Sequence, residues 1–237
     1  MEILNMYTYR KNIISTLFIS VILILFLIFF NPSFFQNSVE QKVEKLPNDI
    51  RWVVESNEYK ALCEKVYAEL ALKTKKLHSN DRQAIIMDLD ETVLDNSKYQ
   101  VENFYKGETF NMSSWAVWVN REEAGLVPGA KEYISLVRDL GIQLIFLSNR
   151  MDERLESTKN NMKKLGIYDE KDIYLLRLDK KDKKHIRRQE VYEGINRMAK
   201  HGSFDVILYV GDAMGDFPKN VTSDKTYILP NPMYGKW

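Results

Sequence analysis

Several short apolar runs in this chain each stop at a group that an apolar core has no use for. Ala84-Ile-Ile-Met87 runs into Asp88, Ile142–Leu147 into Ser148, and Val206–Val210 into Gly211-Asp212. A weaker run, Ile173–Leu176, is followed by the lysine cluster Lys180, Lys181, Lys183 and Lys184, and Thr226–Leu229 is a candidate fifth. Helical stretches fall between them, near 129–140, 152–165 and 184–200, with Gly141 and Gly166 where helix stops belong. Apolar runs of this length, alternating with helices, read as strands buried on both faces. The fold class is therefore α/β, a parallel sheet with helices on both faces.

Upstream, Ser56 is a helix cap, and Tyr59, Leu62, Cys63, Val66 and Leu70 recur at helical spacing after it. Cys63 is the single cysteine and lies on that stripe as a small buried hydrophobe, so a disulfide within the chain and a cysteine zinc site are excluded. The segment 95–127 breaks the alternation and carries Tyr99, Phe104, Tyr105, Phe110, Trp115 and Trp118. A structureless loop of that length is foreign to a compact domain, so the segment predicts a small helical cap over the carboxyl ends of the strands.

The N-terminus carries a different signal. Ile13–Phe30 is 18 residues without a charge, preceded by Arg10 and Lys11. That length and flank predict an N-terminal transmembrane helix with the remainder outside the cytoplasmic membrane. A cleaved signal sequence is the alternative, and it gives the same location. The organisation expected is residues 1–30 as anchor or signal, 31–47 as stalk, and 48–237 as the globular domain. Lys+Arg number 34 against 33 Asp+Glu, a net charge of +1, which leaves no basic excess for coating nucleic acid. G-x-G-x-x-G and G-K-[ST] are absent from the sequence.

In an open parallel sheet, ligands bind outside the carboxyl ends of the strands. Those ends collect Asp88, Asp90, Thr92, Ser148, Asn149, Asp212, Asp216 and the lysines. Crowded carboxylates cannot all ionise without a cation, and oxygen ligands without a His or Cys cluster select a hard ion such as Mg²⁺. Asp88 and Asp212 are the natural direct ligands, with Asp216 as a third or outer acceptor. A lysine and Ser148 at neighbouring ends suit phosphate oxygens, so the assembly fits phosphoryl transfer. Within D-x-D, Asp88 suits attack on phosphorus and Asp90 suits proton transfer. Thr92 has two roles open to it, binding phosphate or fixing the loop.

Asp88-Leu-Asp-Glu-Thr-Val-Leu-Asp-Asn-Ser97, Ser148-Asn-Arg150, the lysine cluster and Gly211-Asp-Ala-Met-Gly-Asp-Phe217 resemble the four motifs of the haloacid dehalogenase superfamily. More narrowly they resemble the class C bacterial acid phosphatases, surface lipoproteins that act as 5′-nucleotidases. The similarity runs from about Trp52 to Trp237 and includes Val127-Pro-Gly-Ala130 and the ending Leu229-Pro-Asn-Pro-Met-Tyr-Gly-Lys-Trp237. Glu91 stands where the wider superfamily has Gly, as in class C. The resemblance implies a Rossmann-like core and a Mg²⁺ held by the side chains of Asp88 and Asp212 and the backbone carbonyl of Asp90. It also implies hydrolysis of nucleoside monophosphates or nicotinamide mononucleotide, with Tyr234 near the leaving group's ring. An Arg three positions after the phosphate-binding lysine points to Lys184 through Arg187, with Lys183 as the runner-up. The family's lipobox cysteine is missing, and Ala213 replaces its Asn. A phosphatase of other monoesters and a non-catalytic binding protein with the same fold remain the alternatives.

Overall fold

The computed structural model describes residues 45–77 and 82–235. The Ile13–Phe30 run and the stalk up to residue 44 lie outside the described residues. Among the described residues, no helix is long and apolar enough to cross a membrane. Residues from Leu46 onward form one compact unit.

The chain opens with α1 (Asn48–Glu55) and α2 (Asn57–Lys75), then β1 (Gln83–Met87) and β2 (Leu94–Asp95). Two helices, α3 (Ser97–Lys106) and α4 (Met112–Arg121), precede β3 (Gly125–Leu126). Next come α5 (Ala130–Asp139), β4 (Gln143–Phe146), α6 (Leu155–Lys164) and β5 (Ile173–Tyr174). Last are α7 (Lys184–Glu193), β6 (Asp205–Gly211) and β7 (Thr226–Ile228). The main sheet has the order β5-β4-β1-β6-β7, with every pairing parallel. It contains the five strands expected from the sequence.

Both faces of the sheet are covered. Ile85 and Met87 of β1, with Leu144 and Phe146 of β4, pack toward α2 and α5, while Ala84, Ile86, Ile145 and Leu147 pack toward Val191 of α7. This is the period-two alternation of a strand buried on both sides. The β1–β6 register shifts between Ala84 and Ile85, so Ile207 is an extra residue. Ile207 and Leu208 therefore share one face, and Val206 and Tyr209 the other. A bulge of this kind twists the strand and re-aims the residues beyond it, here Gly211-Asp212.

Three expectations are corrected. Ser56 does cap α2, its Oγ accepting from Tyr59 N at 3.1 Å. The buried stripe is Tyr59, Cys63, Tyr67, Leu70 and Thr74, however, and Leu62 is 44% exposed. The helix turns Tyr67 and Thr74 inward, where their hydroxyls find partners on other elements: Tyr67 donates to Thr92 O at 2.6 Å, and Thr74 Oγ1 meets Tyr133 OH at 3.0 Å. Second, α7 ends at Glu193 rather than near 200. Gly194 takes φ 67° there, and a Cβ would overlap the backbone of Gly202 and Ser203, so the chain must leave the helix. Third, a further helix, α1, precedes Ser56.

Segment 95–127 folds as α3 and α4, closed at its base by the antiparallel pairs Leu94–Leu126 and Asp95–Gly125. Tyr99 and Trp118 are buried; Tyr105 and Phe110 are exposed. The Asn161 amide of α6 clasps Ala124 at both N and O, each at 3.0 Å, and so ties the returning end of this insert to the core.

Candidate active site

The turn after β1 is set by the backbone. Leu89 O accepts from Val93 N and Leu94 N at 2.8 and 2.7 Å, and Glu91 N donates to Leu94 O at 2.8 Å. Closing so tight a turn puts Glu91 at φ 53°, a left-handed conformation uncommon outside glycine. Asp88 N donates to Val210 O at 2.9 Å, which locks the start of this turn to β6. Glu91 is buried, with Oε1 accepting from Asn96 N at 3.0 Å. Burial, then the nearby charges of Asp90 and Asp212, push its carboxyl well above the usual range.

The bulged β6 delivers Gly211-Asp212 beside this turn. Gly211 has to be glycine, since a Cβ would overlap the Asp216 carboxylate. Asp216 folds back because its Oδ2 accepts from Ala213 N at 2.9 Å. That bond is made by the main chain, so Ala213 keeps the loop closed without a side-chain contribution. Arg188 grips the same loop from α7, donating to Gly215 O and Asp216 O at 3.2 and 3.1 Å and to Phe217 O at 3.3 Å.

Asp88, Asp212 and Asp216 thereby bring carboxylate oxygens within 4.8 Å of one another. The buried Lys184 ammonium lies 2.8 Å from Asp88 Oδ1 and 2.5 Å from Asp216 Oδ1. Asp212 is held by Asn231 Nδ2 at 2.8 Å and faces Thr92 Oγ1 at 3.4 Å. Three carboxylates share one ammonium. Burial and the remaining negative neighbours push Asp88 well above the carboxylate range despite Lys184. Burial, then Asp216, pushes Asp212 up to about 6. For Lys184, burial acts downward, but Asp88 and Asp216 outweigh it and raise its pKa. This donor set of oxygens with an excess of negative charge fits a hard divalent cation.

Asp90 points elsewhere. Its Oδ1 accepts from Arg150 Nε at 2.9 Å and Asn96 Nδ2 at 3.0 Å, and Ser148 Oγ lies 3.4 Å from its Oδ2. Ser148 is fully buried and also accepts from Arg150 N at 3.2 Å. Asn149 is exposed, its Oδ1 accepting from Arg187 Nη2 at 2.8 Å. Arg187 also donates to Ser148 O and, at 2.9 Å, to Leu175 O, which joins the ends of β4 and β5 to α7. Burial lowers its pKa to about 10.

The expected residues therefore gather at one end of the sheet, with distinctions. Lys184 is the lysine in the cluster, and Lys183 is exposed at the helix start. Of the two roles open to Thr92, the fully buried side chain facing Asp212 fits loop fixation. Tyr234 is 39% exposed, three residues beyond the Asn231 that touches Asp212. Sequence reasoning missed Asn96, Trp118, Arg188 and Asn231 as members. The one signal available was for Asn231, a polar residue between two prolines just after the last strand.

The chain is similar to known proteins along most of its length. It matches the structure of the class C acid phosphatase from Bacillus anthracis with a TM-score of 0.67 at 28% identity, covering 79% of this chain and 84% of that one. The stem 31 kDa glycoprotein of Glycine max is 29% identical over 164 residues, 68% of this chain and 61% of the relative. Acid phosphatase 1 of Solanum lycopersicum is 27% identical over 164 residues, 68% of this chain and 62% of the relative. The chain thus spans about three-fifths of the length of these plant relatives. Residues 32–237 match the model of one family throughout, and the chain belongs to the haloacid dehalogenase superfamily, subfamily IIIB, the acid phosphatases.

Proposed function

We propose that this chain is a Mg²⁺-dependent phosphomonoesterase working through an aspartyl-phosphate on Asp88. The observation that carries the reading is the cluster of Asp88, Asp212 and Asp216 around the Lys184 ammonium at the strand ends. The side chains of Asp88 and Asp212 and the backbone carbonyl of Asp90 would hold the ion, with Asp216 at its edge. When bound, Mg²⁺ neutralises the carboxylates and draws charge from the phosphoryl oxygens. Asp88 attacks phosphorus, and the bond to the leaving oxygen breaks as Asp90 gives that oxygen a proton. Asp90 then takes a proton from water, which attacks the aspartyl-phosphate and frees inorganic phosphate. Lys184, Ser148 and Asn149 bind the phosphoryl oxygens.

The substrate class proposed is nucleoside monophosphates or nicotinamide mononucleotide, with the exposed Tyr234 ring available to stack on a base. The chain acts outside the cytoplasmic membrane, anchored by the Ile13–Phe30 run or released by its cleavage. Phosphate release from a panel of monophosphates by residues 31–237, with and without Mg²⁺, tests the reading. Asp88→Asn should abolish release; near-normal activity of that variant refutes the mechanism.

A further inference from the structure

Asp90 is held by a chain of side chains that begins in the insert. Asn96 is fully buried, and its Oδ1 accepts from Trp118 Nε1 at 2.8 Å and from Arg150 Nη2 at 3.2 Å. With two donors on its oxygen, the amide can offer Asp90 only its NH₂ end, and Nδ2 does reach Asp90 Oδ1 at 3.0 Å. Arg150, 2% exposed, adds Nε at 2.9 Å to the same oxygen and is itself braced by Thr158 Oγ1 at 3.3 Å. Its guanidinium carbon also sits 5.7 Å from the Trp115 ring centroid. Oδ1 is thus enclosed by donors, while Ser148 Oγ lies at the longer distance of 3.4 Å from Oδ2. Two planar donors on one oxygen fix the rotation of a carboxylate, because both bonds prefer to lie near its plane.

We propose that Asn96 and Arg150 are positioning residues that hold Asp90 by Oδ1 and present Oδ2 to the leaving oxygen, and that Trp118 sets the orientation of Asn96. The proposal rests on the reading of Asp90 as proton donor. It makes the insert part of the catalytic apparatus: a side chain of α4 acts on the leaving-group step through one intermediate amide.

Leaving-group dependence separates this role from mere folding. Glycerol phosphate needs a proton as its alkoxide departs, whereas p-nitrophenyl phosphate loses a stable phenolate. The measurement is kcat/KM for both esters, which reports the steps through first phosphoryl transfer, together with Tm. Trp118→Phe keeps an aromatic ring in place, smaller than the indole, and removes the N–H donor. It should therefore lower the glycerol phosphate value about 3–10-fold, as for one lost hydrogen bond, and the p-nitrophenyl value much less, while Tm reports the lost packing. Asn96→Leu should cost glycerol phosphate more, about 10–100-fold, approaching a lost acid–base group. Adding Trp118→Phe to Asn96→Leu should cost nothing further, since its effect passes through that amide. Equal losses on both esters, or additive losses in the double variant, overturn the proposal. Should Asn96→Leu fail to fold, Trp118→Phe against Trp118→His decides it: His keeps a ring N–H and should restore part of the glycerol phosphate rate, and no recovery counts against the proposal. Failure of the underlying reading shows separately, as an Asp90→Asn variant that loses equally on the two esters.

Discussion

Raising the pH on the metal-free protein should weaken it. A carboxyl pushed up by the fold keeps its proton longer in the folded chain than in the unfolded one. Its contribution is complete below the ordinary value of 3.8 and is lost as pH rises through its folded value, about 6 for Asp212. Between pH 5 and 7.5 this group alone removes about 1.4 kcal/mol, since a tenfold change in proton affinity is worth about that much. For a domain of this size, that lowers Tm by roughly 3–6 °C. Asp88 and Glu91 shift in the same direction and add to the loss. Lys184, whose ammonium is stabilised, gives up its contribution only above its ordinary 10.5, outside the window. A divalent cation reverses the effect by binding the ionised cluster, worth about 2.7 kcal/mol at a hundredfold excess over Kd. Thermal melts in EDTA and in Mg²⁺ at pH 5 and 7.5 check this. Mg²⁺ should raise Tm far more at pH 7.5 than at pH 5, and Asp212→Asn should remove most of that difference. A Tm that climbs from pH 5 to 7.5 in EDTA, or an equal Mg²⁺ effect at both pH values, refutes the reasoning.

Gly211→Ala should cost about 1–3 kcal/mol by overpacking against Asp216; urea melts measure it, and a neutral result means the loop moves aside freely. Arg187→Met should cost about 1.5–3 kcal/mol, because Ser148 O, Leu175 O and Asn149 Oδ1 lose a charged donor; chemical denaturation reads it, and a loss under 1 kcal/mol contradicts that bracing role. The full chain should stay with the membrane fraction through a high-salt wash, held by the uncharged Ile13–Phe30 run. Release of a domain lacking residues 1–30 into the medium would show a cleaved signal instead.

What the sequence made legible was whatever a strand end must reveal. Asp88, Ser148 and Asp212 each come directly after an apolar run, and a parallel sheet brings such ends together whatever the loops do. Lys184 was readable only to within a residue, because Lys183 and Lys184 look alike until the helix start fixes which of them turns inward. The supporting residues left no such trace. Trp118 and Asn231 each reach the site through one hydrogen bond to a residue well separated in sequence, and Asn96 through a set of bonds to Asp90, Trp118 and Arg150; no periodicity marks bonds of that kind. Leu62 misled for a related reason. Helical spacing fixes which residues share a stripe, but where that stripe faces goes with the partners that Tyr67 and Thr74 find on other elements, Thr92 O and Tyr133 OH.

The two aspartates of the D-x-D pair obtain different tasks from the company each keeps. The turn at Leu89, with Glu91 in its left-handed conformation, separates their carboxylates into two surroundings. Asp88 enters a group in which three carboxylates share one ammonium, a shortage of positive charge that a metal ion would relieve. Asp90 enters one already matched, with the buried Arg150 guanidinium at 2.8 Å from Oδ1 and an amide on the same oxygen. A cation therefore gains more from the first group than from the Asp90 side chain, which leaves that side chain clear of the metal. Exchanging the charges should exchange the preferences. Arg150→Met would leave Asp90 without its partner and free to compete for metal, so such a variant should bind Mg²⁺ in altered stoichiometry or affinity, whereas Arg187→Met, which touches neither aspartate, should not.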